Sequence, residues 1–388
     1  MSKYRVLVVH NRYQIPGGED VVVNNECRML RENGHEVFLY ERSNSELKNM
    51  SFLQKLCLPF TVIWSFRAAA DVRKLIRENR IDIVHVHNTI LLISPSVYYA
   101  ALKEGVPVVQ TVHNFRLLCP NGLFYRQGRI CEDCVSKGLN CAVKHSCYRG
   151  SRLQTLALVL SMKFHRARGI YRRLHYIVLT EFNREKLLEQ KQISRDQISV
   201  KPNFHIGNDV YQADRERKDQ FVYAARLDET KGIMFLLKAW KEKGISSRLI
   251  ICGDGPLKED VQTYIRDNNL TAAEFMGQTD HDQVMEIFAQ SKAMILPTRW
   301  YEGFPMTIAE AFSAGTPVIV PDLGNAGSIV REGITGWHYR PDDPDSLAEV
   351  LQKDMNINDL VCREYRLHYT MENNYRELLE IYRKAAEK

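Results

Sequence analysis

Short apolar runs alternate with longer stretches of helical period along most of this 388-residue chain. Residues 4–9, 36–40, 81–86 and 106–112 read as strands, with helical segments at 19–33 and 93–104 between them. A long helical stretch at 151–174 precedes strand-like runs at 176–179 and 198–201. A second alternating set follows at 221–225, 248–252, 274–276, 293–296 and 317–320. Strands that alternate with helices of this length predict parallel sheets with crossover helices. Two successive sets, without a repeat of 20–50 residues, predict two Rossmann-like α/β domains. The junction is expected between 202 and 218, where Pro202-Asn203 leads into a polar run from Asp214 to Gln220.

In open α/β sheets, ligands bind outside the carboxyl ends of the strands, and the notable motifs fall there. After the run at 293–296 comes Arg-Trp-Tyr-Glu-Gly-Phe-Pro, with Glu302, Gly303, Phe304 and Pro305, then a helix-compatible stretch carrying Glu310. A glycine at a strand-to-helix loop exposes backbone N–H groups to an anion, and a carboxylate beside it accepts hydrogen bonds from hydroxyls. A ligand with both phosphate and sugar suits that combination. Residues eight apart on a helix lie about 12 Å apart along its axis. A glycosidase pair needs about 5–9.5 Å across one bond, so contacts to distant parts of one long ligand fit better. Arg226 and Lys231, in Ala-Arg-Leu-Asp-Glu-Thr-Lys-Gly after the run at 221–225, offer a planar fork and a point charge suited to diphosphate. They also read as two solvated surface cations. Gly17 and Gly18 open a helix after the first strand but lack a full dinucleotide fingerprint. His113 ends the strand at 106–112, and His85 and His87 share one face of the strand before it. Gly253-Asp254-Gly255-Pro256 reads as a tight turn.

Glu302 and Glu310, followed by Ala-Phe-Ser-Ala-Gly-Thr-Pro-Val, resemble the EX7E motif of retaining glycosyltransferase family 4, which has the GT-B fold. The resemblance covers nearly the whole chain. It implies two Rossmann-like domains facing an interdomain cleft. Residues 1–205 would bind the acceptor and carry a Cys-rich insertion at about 119–147. Residues 206–370 would bind a UDP- or GDP-linked sugar, and a last helix within 371–388 would cross back to the first domain. It implies that Arg226 and Lys231 clamp the donor diphosphate, that Glu302 and the amides at Gly303 to Pro305 hold sugar and phosphate, and that Glu310 holds ribose. Thr298 would occupy the Pro-Ser/Thr slot, Gly17 and Gly18 would approach the donor phosphate, and His113 would line the reacting centre. The resemblance also implies that catalysis requires no cofactor. The Gly-Gly-x-x-Glu expected further on is replaced here by Gly324-Asn325-Ala326-Gly327-Ser328, with Ser328 in the Glu slot. A nucleotide-sugar epimerase or a phosphorylase would use a similar cleft, and a non-catalytic membrane scaffold would keep only the basic half.

Charge changes the picture of partners. Residues 1–200 hold 30 Lys and Arg against 17 Asp and Glu, and 135–180 hold nine basic residues and no acid, so the first half faces something anionic. Residues 56–66, with Phe60 and Trp64, lie between Lys55 and Arg67; a similar apolar run lies between Arg152 and Lys163. Both are too short to span a bilayer and read as interfacial, or as core helices with a solvated basic face. An anionic membrane surface and a lipid-linked saccharide acceptor of surface-polysaccharide assembly are the expected partners; no nucleic-acid motif is present. With no signal peptide at the start, the expectation is a cytoplasmic protein, peripheral on the inner face of the membrane. Five of nine cysteines, Cys119, Cys131, Cys134, Cys141 and Cys147, fall within 29 residues. Four of them would make a structural zinc site, with free thiols in a loop as the alternative.

Overall fold

The computed structural model describes residues 3–14, 17–207 and 216–387, so Ile15-Pro16 and most of the expected junction lie outside the described residues. The chain divides into two compact units. The first comprises Met1–Phe124, Glu132–Pro202 and Asn374–Lys388, and the second Tyr125–Cys131 and Asn203–Asn373.

The first unit is built on strands β1 (Arg5–Arg12), β2 (Glu36–Ser43), β3 (Ile83–Asn88) and β4 (Val108–Val112), joined after a short hairpin, β5 (Tyr125–Arg126) and β6 (Arg129–Ile130), by β7 (His175–Val178) and β8 (Ile198–Val200). The hairpin itself belongs to the second unit. The six long strands form one parallel sheet in the order β2-β1-β3-β4-β7-β8. Val6 to Val9 and Ile83 to His87 are buried on both faces, apolar apart from His85 and His87. Helix Met371–Ala386 carries Leu378, Ile381 and Tyr382 into this unit's interior. The predicted helix at 151–174 ends earlier, at Ala167, because Gly169 takes a left-handed φ of 65° and starts a 3-10 turn.

The second unit holds β9 (Lys218–Ala224), β10 (Arg248–Cys252), β11 (Ala273–Gly277), β12 (Ser291–Ile295), β13 (Val318–Pro321) and β14 (Gly336–Tyr339). They form a second parallel sheet, β11-β10-β9-β12-β13-β14. Two apolar layers cover its faces, one around Trp240 and Leu249, the other around Phe288 and Phe312. Strand β14 and the hairpin escaped the sequence reading: Gly336-Trp-His-Tyr is too short and mixed, and each hairpin strand has two residues. In both sheets the connection reverses direction, between β1 and β3 in the first and between β9 and β12 in the second. A ligand crevice forms at such switch points.

Candidate donor site and histidine cluster

The second sheet's switch point gathers the motifs that follow β9 and β12. After β9, the Asp228 side chain accepts hydrogen bonds from the N–H groups of Thr230 and Lys231 at 3.0 and 3.2 Å and folds the loop into a 3-10 turn. Gly232 closes that turn at φ 71°. A Cβ there would lie 1.8 Å from the Pro297 carbonyl oxygen, so only glycine lets the loop after β12 come this close. Arg299 N–H donates to the Thr230 carbonyl at 2.8 Å and ties the two loops together. Gly253 sits under the same loop; a Cβ on it would meet the Ala225 carbonyl at 2.1 Å. The Gly-Asp-Gly turn therefore supports the Arg226 loop from beneath, as a tight turn.

The result is a pairing of charges. Lys231 Nζ donates to Glu302 Oε1 and Oε2 at 2.7 and 2.9 Å, and Thr298 Oγ1 donates to Oε1 at 2.8 Å. Glu302 is 4 % exposed and its backbone is held in the left-handed region at φ 45° by Asn325, whose Nδ2 donates to the Glu302 carbonyl at 2.7 Å. Strained non-glycine backbone of this kind gathers at functional sites. Arg226 instead extends outward, its side chain 62 % exposed and 3.6 Å from Asp228. Pro305 caps the helix Met306–Ser313. It has no N–H, so loop amides come only from Gly303 and Phe304, a correction to the sequence expectation. Glu302 lies in the loop before that helix, so the helical spacing assumed for Glu302 and Glu310 does not apply. Glu310 faces His281, and burial raises its carboxyl above the usual range despite that imidazole. Ser328 is exposed and, as a serine, offers a hydroxyl where the resemblance expects a carboxylate.

In the first unit, Gly17 caps the helix Gly18–Glu32, and a Cβ on Gly17 or Gly18 would meet nothing within 4 Å. Asp20 accepts from Gly17 N–H at 2.9 Å and lies 2.8 Å from His10 Nε2. His113 is half-buried, its Nε2 2.9 Å from His87 Nδ1. His85 and His87 are packed within the unit, His85 between Thr111 and Tyr382 at 2.7 and 2.8 Å. Two residues beside these motifs escaped the sequence reading. Burial pushes the Glu19 carboxyl up to about 7 against the opposing pull of Tyr13 and Arg116. Arg116 is half-buried beside Tyr13 and Glu19, and its Nε and Nη1 find no hydrogen-bond partner among the described residues. Their signal was only adjacency, one residue after Gly18 and three after His113. A cavity of about 90 Å³ runs from His113 and Arg116 to Val62, Leu158 and Met162.

The cysteines separate into groups. Cys119 is buried; its thiol is pulled down to about 6 by a hydrogen bond with Cys134, against burial, with help from the backbone N–H groups of Phe124, Asn121 and Gly122. Cys134 and Cys147 pack on Leu139, Ala142, Val159 and Met162, a group that leaves out Cys141. Cys131 ends the hairpin segment of the second unit. Of the membrane candidates, helix Phe52–Ile63 exposes Phe52 (79 %), Leu53 (71 %) and Phe60 (73 %), and helix Arg152–Ala167 exposes Leu153 (78 %). Trp64 departs from expectation: its ring lies 4.9 Å from that of Tyr99 and is half-buried. No helix among the described residues is long and apolar enough to cross a membrane.

The family model "Glycosyltransferase Family 4" matches residues 16–205 and "Glycosyl transferases group 1" matches 210–370. Among curated relatives, UDP-Gal:alpha-D-GlcNAc-diphosphoundecaprenol alpha-1,3-galactosyltransferase of Escherichia coli is 26 % identical over 80 % of this chain and 77 % of its own length. Among solved structures, a glycosyltransferase from Rickettsia africae superposes with a TM-score of 0.69 at 18 % identity, over the whole of both chains. HepE of Anabaena, solved in complex with UDP-glucose, gives 0.63 at 15 % identity over 97 % of this chain and 98 % of its own. With two parallel Rossmann-like units and matches spanning both, the chain belongs to the GT-B glycosyltransferases of the family 4 type.

Proposed function

We propose that the protein transfers a sugar from a UDP- or GDP-linked donor to a lipid-linked saccharide, with retention of anomeric configuration, in the assembly of a surface polysaccharide. The observation that carries this reading is the Lys231–Glu302–Thr298 cluster at the second switch point, with exposed Arg226 beside it. Arg226 and Lys231 neutralise the diphosphate as it leaves, the largest electrostatic task in the reaction. Glu302, with the Gly303 and Phe304 amides, holds sugar and phosphate, and Glu310 accepts from ribose hydroxyls. The acceptor hydroxyl attacks C1 on the face from which the diphosphate departs. The new C1–O bond replaces the bond to phosphate, and a phosphate oxygen takes the hydroxyl proton. The UDP-glucose held by the structural neighbour HepE supports a uridine donor, and the diphosphoundecaprenol in the E. coli relative's name supports a lipid-linked acceptor.

The first unit is the acceptor side. Its cavity joins a polar end, His113 and Arg116, to an apolar end under the helices that expose Phe52, Phe60 and Leu153. Exposed Lys55 and Arg152 lie in these helices, Arg149 just before the second, and Arg67 in the helix Phe66–Asn79 that follows the first. Apolar side chains rimmed by cations suit an anionic membrane surface. Cys119, Cys134 and Cys147 of the first unit are the thiols we propose for a structural zinc site; backbone N–H groups beside the buried Cys119 Sγ favour the thiolate that zinc requires.

Calorimetric titration with UDP, GDP, ADP and CMP tests the reading. Binding of one nucleoside diphosphate, lost in Lys231→Ala, is the expected result. Failure of all four to bind sinks it.

A further inference from the structure

The first unit buries a chain of polar groups that ends at His113. Lys201 Nζ donates to Glu26 Oε1 at 2.6 Å and to Asn374 Oδ1 at 2.8 Å. Glu26 Oε2 lies 3.4 Å from His87 Nε2, and His87 Nδ1 lies 2.9 Å from His113 Nε2. The side chains of Lys201, Glu26 and His87 are each 1–2 % exposed. Three elements supply them: the helix Gly18–Glu32, strand β3 and the residue just past β8.

Proton positions in this chain follow from the charges at its buried end. Burial opposes ionisation of Glu26, but the adjacent Lys201 ammonium prevails and its carboxyl stays below the usual range. Glu26 Oε2 and His87 Nε2 find no other hydrogen-bond partner among the described residues, and the carboxylate favours a hydrogen on that nitrogen, because two lone pairs would repel. Burial, helped by the neighbouring histidines, keeps His87 neutral, and burial likewise holds His113 down at about 3. A neutral imidazole carries one N–H only. His87 Nδ1 is therefore bare and accepts from His113 Nε2–H, which leaves His113 Nδ1 bare in turn. His85 is occupied elsewhere, by Thr111 and Tyr382.

We infer that Lys201, Glu26 and His87 are positioning residues that lock His113 as its Nε2–H tautomer, so that Nδ1 is offered as a hydrogen-bond acceptor to a saccharide hydroxyl. The tautomer rests on this geometry and on the charge states that burial and Lys201 set; its use on a saccharide rests on the glycosyltransferase reading. Glu26→Gln separates the two. A glutamine can keep its oxygen on Lys201 and turn its NH2 toward His87 Nε2. That inverts each link: His87 becomes Nδ1–H, donates to His113 Nε2, and leaves His113 with a hydrogen on Nδ1, a donor in place of an acceptor.

The experiment is long-range proton–nitrogen NMR on the full chain labelled with 15N-histidine, with the His113 signals assigned by their loss in His113→Gln. The wild type is expected to show His113 as the Nε2–H tautomer, and Glu26→Gln to show it as Nδ1–H. A wild-type Nδ1–H tautomer overturns the inference without any variant, as does a Glu26→Gln spectrum with His113 unchanged. In turnover, Glu26→Gln should lower kcat about tenfold, roughly the worth of one hydrogen bond, with donor KM changed less than about twofold. An inverted tautomer with unaltered kcat overturns the functional half. Absence of UDP binding in the wild type sinks the donor reading and leaves the NMR result standing.

Discussion

The Lys231 ammonium bridges both carboxylate oxygens of Glu302, at 2.7 and 2.9 Å. A buried pair of this kind holds a lysine in place before any ligand arrives, and it also couples the two residues' fates. In Lys231→Ala the Glu302 carboxylate stays buried without its counter-ion, a loss of about 3 kcal/mol in stability, and the diphosphate loses its cation. Lys231→Met combined with Glu302→Gln should recover most of the melting temperature without recovering UDP binding. Calorimetry and thermal unfolding on the three proteins read both effects, and recovered binding in the double variant would count against Lys231 as a phosphate ligand.

Arg226 is the opposite case, since its side chain is mostly solvated. Arg226→Ala should leave unfolding unchanged within about 0.5 kcal/mol and weaken UDP binding roughly tenfold or more, in line with a charge-assisted hydrogen bond of about 1.5–3 kcal/mol. Arg226→Lys should restore only part of it, because an ammonium lacks the fork that grips two oxygens. Titration of the three proteins decides it.

Glu19 gives the chain a pH signature. Its carboxyl sits at about 7 when folded, against an ordinary 4.5, with burial the main cause. The native state therefore keeps a proton that the unfolded chain releases, and stability from this group falls as pH rises from about 4.5 to about 7. The gap corresponds to about 3 kcal/mol. Urea unfolding at pH 5 and pH 7.5 should show a smaller drop in Glu19→Gln than in wild type; equal drops would exclude the assignment.

Phe52 and Phe60 stand almost fully in solvent on one helix. Replacing both with serine should cut co-sedimentation with vesicles containing anionic lipid, without lowering the melting temperature, since neither side chain is in the core. Wild-type binding that ignores the anionic fraction would refute the membrane proposal.

Protein purified without chelator should carry close to one zinc per chain, and Cys119→Ser should lose it. A content below about 0.2 per chain would end the zinc proposal.

The hydrophobic rhythm alone determined the fold class. Eleven of the twelve strands of the two large sheets coincide with runs read from the sequence, because most of their residues are apolar and buried and the runs alternate with helices. The loop positions of Arg226, Lys231, Thr298 and Glu302 were legible for a related reason: they follow directly on strands β9 and β12, where local spacing fixes position. Tertiary structure decided the rest. Only folding showed that Lys231 and Glu302, 71 residues apart, share a hydrogen bond. It also joined Lys201 to Glu26 across 175 residues and placed Tyr382 against His85. It packed the half-buried Trp64 ring against Tyr99 and gave the hairpin Tyr125–Ile130 to the second unit. Such pairings depend on which residues β-order brings side by side, and periodicity carries no information about partners distant in the chain.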